Sequence, residues 1–93
     1  MNSRPTPCPG DVIRISVNIL DENGNPMSGN VSVSGREEKA GSGFPPVYVD
    51  VLSGKYYVTV TATGYQPQTQ NTPRFPEDLD VCLFPMLFKM QPV

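Results

Sequence analysis

Apolar and polar residues alternate strictly from Lys55 to Thr63, in the run K-Y-Y-V-T-V-T-A-T. Because side chains along a β-strand point to opposite faces in turn, this run places Tyr56, Val58, Val60 and Ala62 on one face. The other face then carries a tyrosine and threonines, which tolerate water. The segment is therefore predicted to be a half-buried strand whose apolar face belongs to a core.

Four further segments show the same alternation and are predicted strands: Val12–Leu20, Asn30–Gly35, Val47–Leu52 and Asp78–Phe84. The side chains predicted to point inward are the alternate apolar ones, namely Ile13, Ile15, Val17 and Ile19, then Val31 and Val33, then Val47, Val49 and Val51, and finally Leu79, Val81 and Leu83. Helices are disfavoured because the 93 residues include 11 prolines, which lack the N–H, and 8 glycines, which carry extra chain entropy. Strands with one apolar face each must bury those faces against one another. The sequence therefore predicts an all-β fold, an antiparallel two-sheet β-sandwich of about 6–7 short strands.

The segments between these strands are predicted to be turns and loops. Asp21–Pro26 contains Asn23-Gly24, which suits a turn with positive φ, and Pro26 blocks a central strand. Arg36–Gly43 is polar and contains glycine, so it is predicted to be an exposed loop. The strands beyond the first five would come from Gln66–Asn71 or from Met86–Met90.

Two motifs resemble the sequence pattern of one group of small β-sandwiches. Asp21 to Val33 fits D-x-x-G-x-P-x-x-G-x-V-x-V, and Gly54 to Tyr65 fits G-x-Y-x-V-x-V…G-Y. On these positions the chain resembles the carboxypeptidase regulatory-like and collagen-adhesin B-type domains, from Ile13 to Leu83. The resemblance implies an Ig-like, transthyretin-like prealbumin sandwich used as a stalk, spacer, adhesion or assembly module. The motifs are turn and core positions, so they inform fold far more than function.

Composition argues against several functional classes. The chain has no histidine, which removes the commonest general base and most transition-metal sites. Cys8 and Cys82 are too few and too far apart for a zinc site. The seven lysines and arginines are scattered rather than clustered, and no apolar run reaches the length of a membrane span, about 18 residues. We therefore expect no enzymatic activity, no cofactor, no bound nucleic acid and no membrane span.

The two cysteines leave three alternatives open. A disulfide between Cys8 and Cys82 would close a loop of about 75 residues and stabilise the fold by about 4 kcal/mol. Two free thiols are the expectation for a reducing cytosol. Pairing with a cysteine of another subunit is the third alternative.

Two tyrosines, Tyr48 and Tyr57, occupy outward positions on predicted strands. Outward aromatic rings can form a platform for a carbohydrate ligand, because each ring offers a flat apolar face with a polar tip. The competing interpretation is that each is an ordinary cross-strand neighbour on a sheet surface.

The segment that follows the last predicted strand is unusually apolar for a surface tail. We divide the chain into a Pro-rich N-terminal arm (1–11), a β-sandwich domain (12–84) and an apolar C-terminal arm (85–93), because Pro85 is expected to interrupt the strand ladder. The arm either docks on a partner or folds back over an open edge of its own sandwich. The candidate docking residues are Phe84, Met86, Leu87, Phe88 and Met90.

These observations favour a non-catalytic structural and assembly module. We expect an accessory subunit of an extracellular or virion surface, such as a capsid decoration or fibre component, with a protein partner or self-association. The alternative is a carbohydrate- or peptide-binding β-sandwich module of a secreted or cell-surface protein. The first ten residues contain three prolines and no apolar signal-peptide core, so we expect that this segment is not a signal peptide.

Overall fold

A computed structural model describes residues 12–75 and 82–93 of the chain. Within these residues there are seven strands and no helix. The strands are β1 (Ile13–Leu20), β2 (Gly29–Gly35), β3 (Glu38–Gly43), β4 (Val47–Val51), β5 (Tyr56–Thr61), β6 (Gln68–Asn71) and β7 (Leu83–Lys89). They form two sheets that pack on one core, so the predicted all-β sandwich is confirmed.

The three-stranded sheet has the order β4-β1-β7, and the four-stranded sheet has the order β3-β2-β5-β6. All strand pairs are antiparallel except β1 and β7, which run parallel from Arg14 opposite Leu83 to Leu20 opposite Lys89. The expectation of purely antiparallel sheets is wrong for this pair. A parallel neighbour needs a crossover connection, and here the chain crosses from β6 in one sheet to β7 in the other.

The core lies between the inner faces of the two sheets. It is built from Ile13, Ile15, Val17, Ile19, Val31, Val33, Val47, Val49, Val51, Tyr56, Val58, Val60, Phe75, Met86, Phe88 and Met90. The inward and outward positions predicted for β1, β2, β4 and β5 agree with this core. Ala62 lies just beyond β5 and is only partly buried against it.

The segment predicted to be an exposed loop, Arg36–Gly43, instead contains strand β3. Among the described strands it pairs with β2 alone and lies at the edge of its sheet, so most of its side chains stay in water and need not be apolar. Its inward residue Gly41 lies against the other sheet, where an added Cβ would come within 3.1 Å of Val47. At Gly41 the backbone of the edge strand itself packs closely against the other sheet, so no apolar side chain is needed there.

The last strand differs from its prediction in both position and orientation. Residues 76–81 lie outside the described part of the chain, so the start of the predicted strand Asp78–Phe84 is not described. Leu83 was predicted to point inward, but it is exposed, because pairing with Arg14 gives it an outward position. Met86 and Phe88 supply the inward side chains of β7 instead.

Pro85 lies within β7 and does not interrupt it, contrary to the prediction. The Arg14 N–H donates to the Cys82 carbonyl (2.7 Å), and the Met90 N–H donates to the Leu20 carbonyl (2.8 Å). Because backbone groups alternate sides along a strand, the even-numbered residues of β7 bond to β1. Pro85 thus has its backbone on the open edge, where a missing N–H breaks no ladder bond.

Candidate functional site

The predicted docking residues at the C-terminus divide into two groups. Met86, Phe88 and Met90 are buried in the core, and Phe84 is partly buried with its ring edge-to-face against Phe75 at 5.2 Å. Leu87 is exposed. Of the two alternatives for this segment, the structure shows the one in which it covers its own core. Only Leu87 retains a fully outward apolar side chain.

Tyr48 and Tyr57 lie on opposite outer faces of the sandwich and cannot form one platform. Tyr48 projects from β4 in the three-stranded sheet, and Tyr57 projects from β5 in the four-stranded sheet. The alternation within each strand predicts that both tyrosines point outward, and their exposure confirms this. The alternation carries no information on which sheet each strand joins.

The outer face of the three-stranded sheet carries an apolar surface, which we call the apolar face. Tyr48, Leu83 and Leu87 are 53%, 50% and 56% exposed, and Pro85 is exposed between the two leucines. Ser16 lies level with Tyr48 on one side and Pro85 on the other, and is only 7% exposed. The sequence does not reveal Leu83 and Pro85 as surface residues, because the alternation of Leu79, Val81 and Leu83 predicts the opposite orientation for this strand.

An ion pair borders the apolar face. Arg14 Nε donates to Asp50 Oδ1 at 2.9 Å and its second nitrogen approaches Oδ2 at 3.3 Å, while the guanidinium lies 5.3 Å from the centre of the Tyr48 ring. The hydrogen bond from Arg14 holds the pKa of Asp50 below its ordinary value. The pair is exposed, so it adds little to stability, but it neutralises both charges and holds the Tyr48 ring in place.

A pocket of about 440 Å³ opens at this border. It is lined by Val12, Arg14, Asp50, Cys82 and Leu83. Its described walls combine apolar side chains with the ion pair of Arg14 and Asp50.

Among the described strands none pairs with the outer edge of β7, and two features protect this edge against the addition of a further strand. Pro85 offers no N–H there, and the Gln70 side chain of β6 donates from Nε2 to the Leu87 carbonyl at 2.7 Å. These two features remove a donor and an acceptor that an added strand would use. Contacts at this side of the molecule are therefore expected through the apolar face rather than through the edge.

The outer face of the four-stranded sheet is different, and we call it the polar face. Its outward residues are Asn30, Ser32 and Ser34 of β2, Glu38, Ala40 and Ser42 of β3, Tyr57, Thr59 and Thr61 of β5, and Thr69 and Asn71 of β6. The alternation in β2 and β5 is evident from the sequence, but the whole face is not, because the composition of β3 indicates a loop.

The turn at Asp21–Pro26 is stabilised by its own first side chain. The Asp21 carboxylate accepts the backbone N–H groups of Asn23 and Asn25 at 2.8 and 2.9 Å, so it caps its own turn. Among the described residues no group of three histidine, cysteine or acidic side chains could hold a metal ion. Within 12–75 and 82–93 there is also no helix long and apolar enough to span a bilayer.

Cys82 lies immediately before β7, beside the pocket at the border of the apolar face. Its predicted partner, Cys8, lies outside the described residues. The pairing of the two cysteines therefore stays a prediction.

Comparison with known proteins adds no family to these observations. The chain matches no protein-family model and no curated protein. The resemblance to carboxypeptidase regulatory-like and collagen-adhesin B-type domains accordingly stays a prediction based on the two turn motifs.

Proposed function

We propose that the chain is a non-catalytic assembly module that contacts copies of itself through the apolar face. Such a module suits an accessory subunit of an extracellular or virion surface. The observation that supports this function is the outward row of Leu83, Pro85 and Leu87 beside Tyr48. Contiguous exposed apolar side chains on a soluble domain usually mark an interaction site, because water contact with them is unfavourable.

Face-to-face packing explains the details of the surface better than strand addition does. The edge of β7 is protected by Pro85 and Gln70, whereas the face beside it is left open. The ion pair that borders the face is satisfied internally, so burying it leaves neither of its charges without a partner, and the exposed Lys89 lies at the end of β7, where its long side chain can keep the charge in water. Tyr48 and the leucines would form the dry centre of the contact, as aromatic and large apolar residues do in protein interfaces.

Leu87→Lys is expected to abolish self-association while leaving the fold intact. The side chain is more than half exposed in the single chain, so the substitution should change the free energy of unfolding by no more than about 0.5 kcal/mol. In a contact between apolar faces it would bury an unpaired charge. Analytical ultracentrifugation over a range of concentrations measures the association, and thermal melting measures the fold.

Thr61→Lys is the matched control, because it adds the same charge to an exposed strand position on the polar face. It should associate like the parent chain. A parent chain that stays monomeric at millimolar concentration would contradict the proposal. Equal loss of association in both variants would show that net charge, rather than the apolar face, controls it.

If the chain functions outside the cytosol, Cys8 and Cys82 are expected to be linked. The link would tie the N-terminal arm to the start of β7 and constrain the unfolded chain, which stabilises the fold by about 4 kcal/mol. Alkylation of native protein without reductant, followed by intact mass measurement, should then add no label. Two labels on protein taken from its natural location would contradict both the link and the extracellular assignment.

A further inference from the structure

The polar face lacks charge to an unusual degree. It comprises three outward residues from each of β2, β3 and β5 and two from β6, all within the described residues, and of these eleven only Glu38 is charged. A soluble surface of this size normally carries about three charged side chains. Glu38 is at the end of β3, so the centre of the face is neutral.

The side chains at the centre are short and rich in hydrogen-bonding groups. Asn30, Ser32, Ser42 and Thr61 make no side-chain hydrogen bond with any described residue, so their donors and acceptors are available. Hydroxyl groups both donate and accept, and the amide does the same with separate atoms. Short side chains also lose little rotamer entropy when a ligand orders them.

These short side chains leave a shallow depression of about 460 Å³ between β3 and β5. It is lined by Asn30, Val31, Ser32, Ala40, Gly41, Ser42, Thr59 and Thr61. Its volume is in the range of small-ligand sites, about 300–1,000 Å³. The outward residue just before Thr59 on β5 is Tyr57, which is 48% exposed. The Cα atoms of successive outward residues on a strand are about 7 Å apart. An aromatic ring therefore stands at the rim of a hydroxyl-lined depression.

We infer that the polar face binds a neutral carbohydrate, with Tyr57 under the C–H face of one sugar ring and the depression receiving hydroxyls of the next. Sugars carry hydroxyl groups that donate and accept hydrogen bonds, and flat C–H surfaces that stack on aromatic rings. The polar face offers hydroxyl and amide groups for the first and the Tyr57 ring for the second. The face carries no lysine or arginine, which an anionic glycan or a nucleic acid would need. Peptide ligands add to strand edges or fill apolar pockets, so a peptide would be expected along the outer edges of β3 and β6 rather than across the polar face.

The experiment is native affinity electrophoresis of the chain through gels that contain a neutral or an anionic polysaccharide. The neutral set is laminarin, mixed-linkage β-glucan, galactomannan, soluble starch and chitin oligomers coupled to a soluble carrier. The anionic set is alginate and heparin. We expect at least one neutral polysaccharide to retard the chain and the anionic set to leave it unretarded. No retardation by any neutral polysaccharide, or retardation by the anionic set alone, overturns the inference.

Tyr57→Ala and Tyr48→Ala form a matched pair, because the two tyrosines are similarly exposed on opposite faces. For the polysaccharide that binds, Tyr57→Ala should raise the dissociation constant about tenfold, the effect of losing one aromatic contact. Tyr48→Ala should leave it unchanged. Equal weakening by both substitutions overturns the inference.

A second variant, Ser32→Arg, fills the depression with a long charged side chain and should also prevent binding while Tyr57 remains. Ser32 is exposed and makes no side-chain hydrogen bond, so the fold should tolerate the change, which thermal melting checks. Leu87→Lys must retain carbohydrate binding, since it alters only the apolar face. Carbohydrate binding and self-association can therefore fail independently.

Discussion

A chain that ends at Phe84 is expected to lose its cooperative fold. The truncation removes most of β7 together with the buried side chains of Met86, Phe88 and Met90. Burial of each such side chain stabilises a fold by about 2–3 kcal/mol, so their loss approaches the whole stability of a small domain, about 5–10 kcal/mol. The parallel ladder along β1 would be lost as well. Circular dichroism and thermal melting should show no cooperative transition.

The matched control is a chain that ends at Gln91. It keeps all of β7, the buried Met90 and the hydrogen bond from the Gln66 N–H to the Gln91 carbonyl. It loses the bond from the Val93 N–H to the Gly64 carbonyl and the long, exposed bond from Gln66 Nε2 to the Pro92 carbonyl, so we expect a cost of about 1 kcal/mol. Should the chain ending at Phe84 keep most of its melting temperature, the segment would be a docking arm after all, and its burial in the core would be unnecessary for folding.

The C-terminal segment also shows what local sequence cannot decide. Leu79, Val81 and Leu83 give one alternating apolar set, and Phe84, Met86, Phe88 and Met90 give another of opposite parity. Both sets are equally good strand patterns, and a shift of one residue exchanges the two faces. The choice between them is made by pairing with β1, which is about 70 residues away along the chain. The exposure of Leu83 and Leu87 follows from that long-range choice, so the apolar face could not be predicted.

Strand β3 was unpredictable for a different reason. It pairs with one neighbour only, and its inward position at Gly41 needs space rather than an apolar side chain. Nothing in its composition separates such an edge strand from an exposed loop. By contrast, β5 was predicted correctly because each of its faces has a distinct environment, with Val58 and Val60 in the core and Thr59 and Thr61 toward water.

Tyr56→Ala is expected to lower the free energy of unfolding by about 3–5 kcal/mol, as removal of a large aromatic side chain from a core does. Tyr56 is fully buried at 0% exposure, and its hydroxyl donates to the Leu52 carbonyl at 3.0 Å. Its backbone N–H donates to Thr72 Oγ1, also at 3.0 Å, which joins β5 to the segment after β6. The truncation would leave a cavity at the point where these segments meet. Urea titration with a shared slope for parent and variant measures the change.

Two neighbouring substitutions make this prediction specific. Tyr56→Phe keeps the ring and removes the hydroxyl, which donates to the Leu52 carbonyl at 3.0 Å and lies 3.5 Å from Glu37 Oε2, so it should cost about 1 kcal/mol. Tyr57→Ala removes the same type of side chain from the next residue, which points outward, and should cost no more than about 0.5 kcal/mol. If Tyr57→Ala proved as damaging as Tyr56→Ala, the inward and outward faces of β5 would be exchanged. The carbohydrate site inferred on the polar face would then lose its aromatic residue, because Tyr57 would lie in the core.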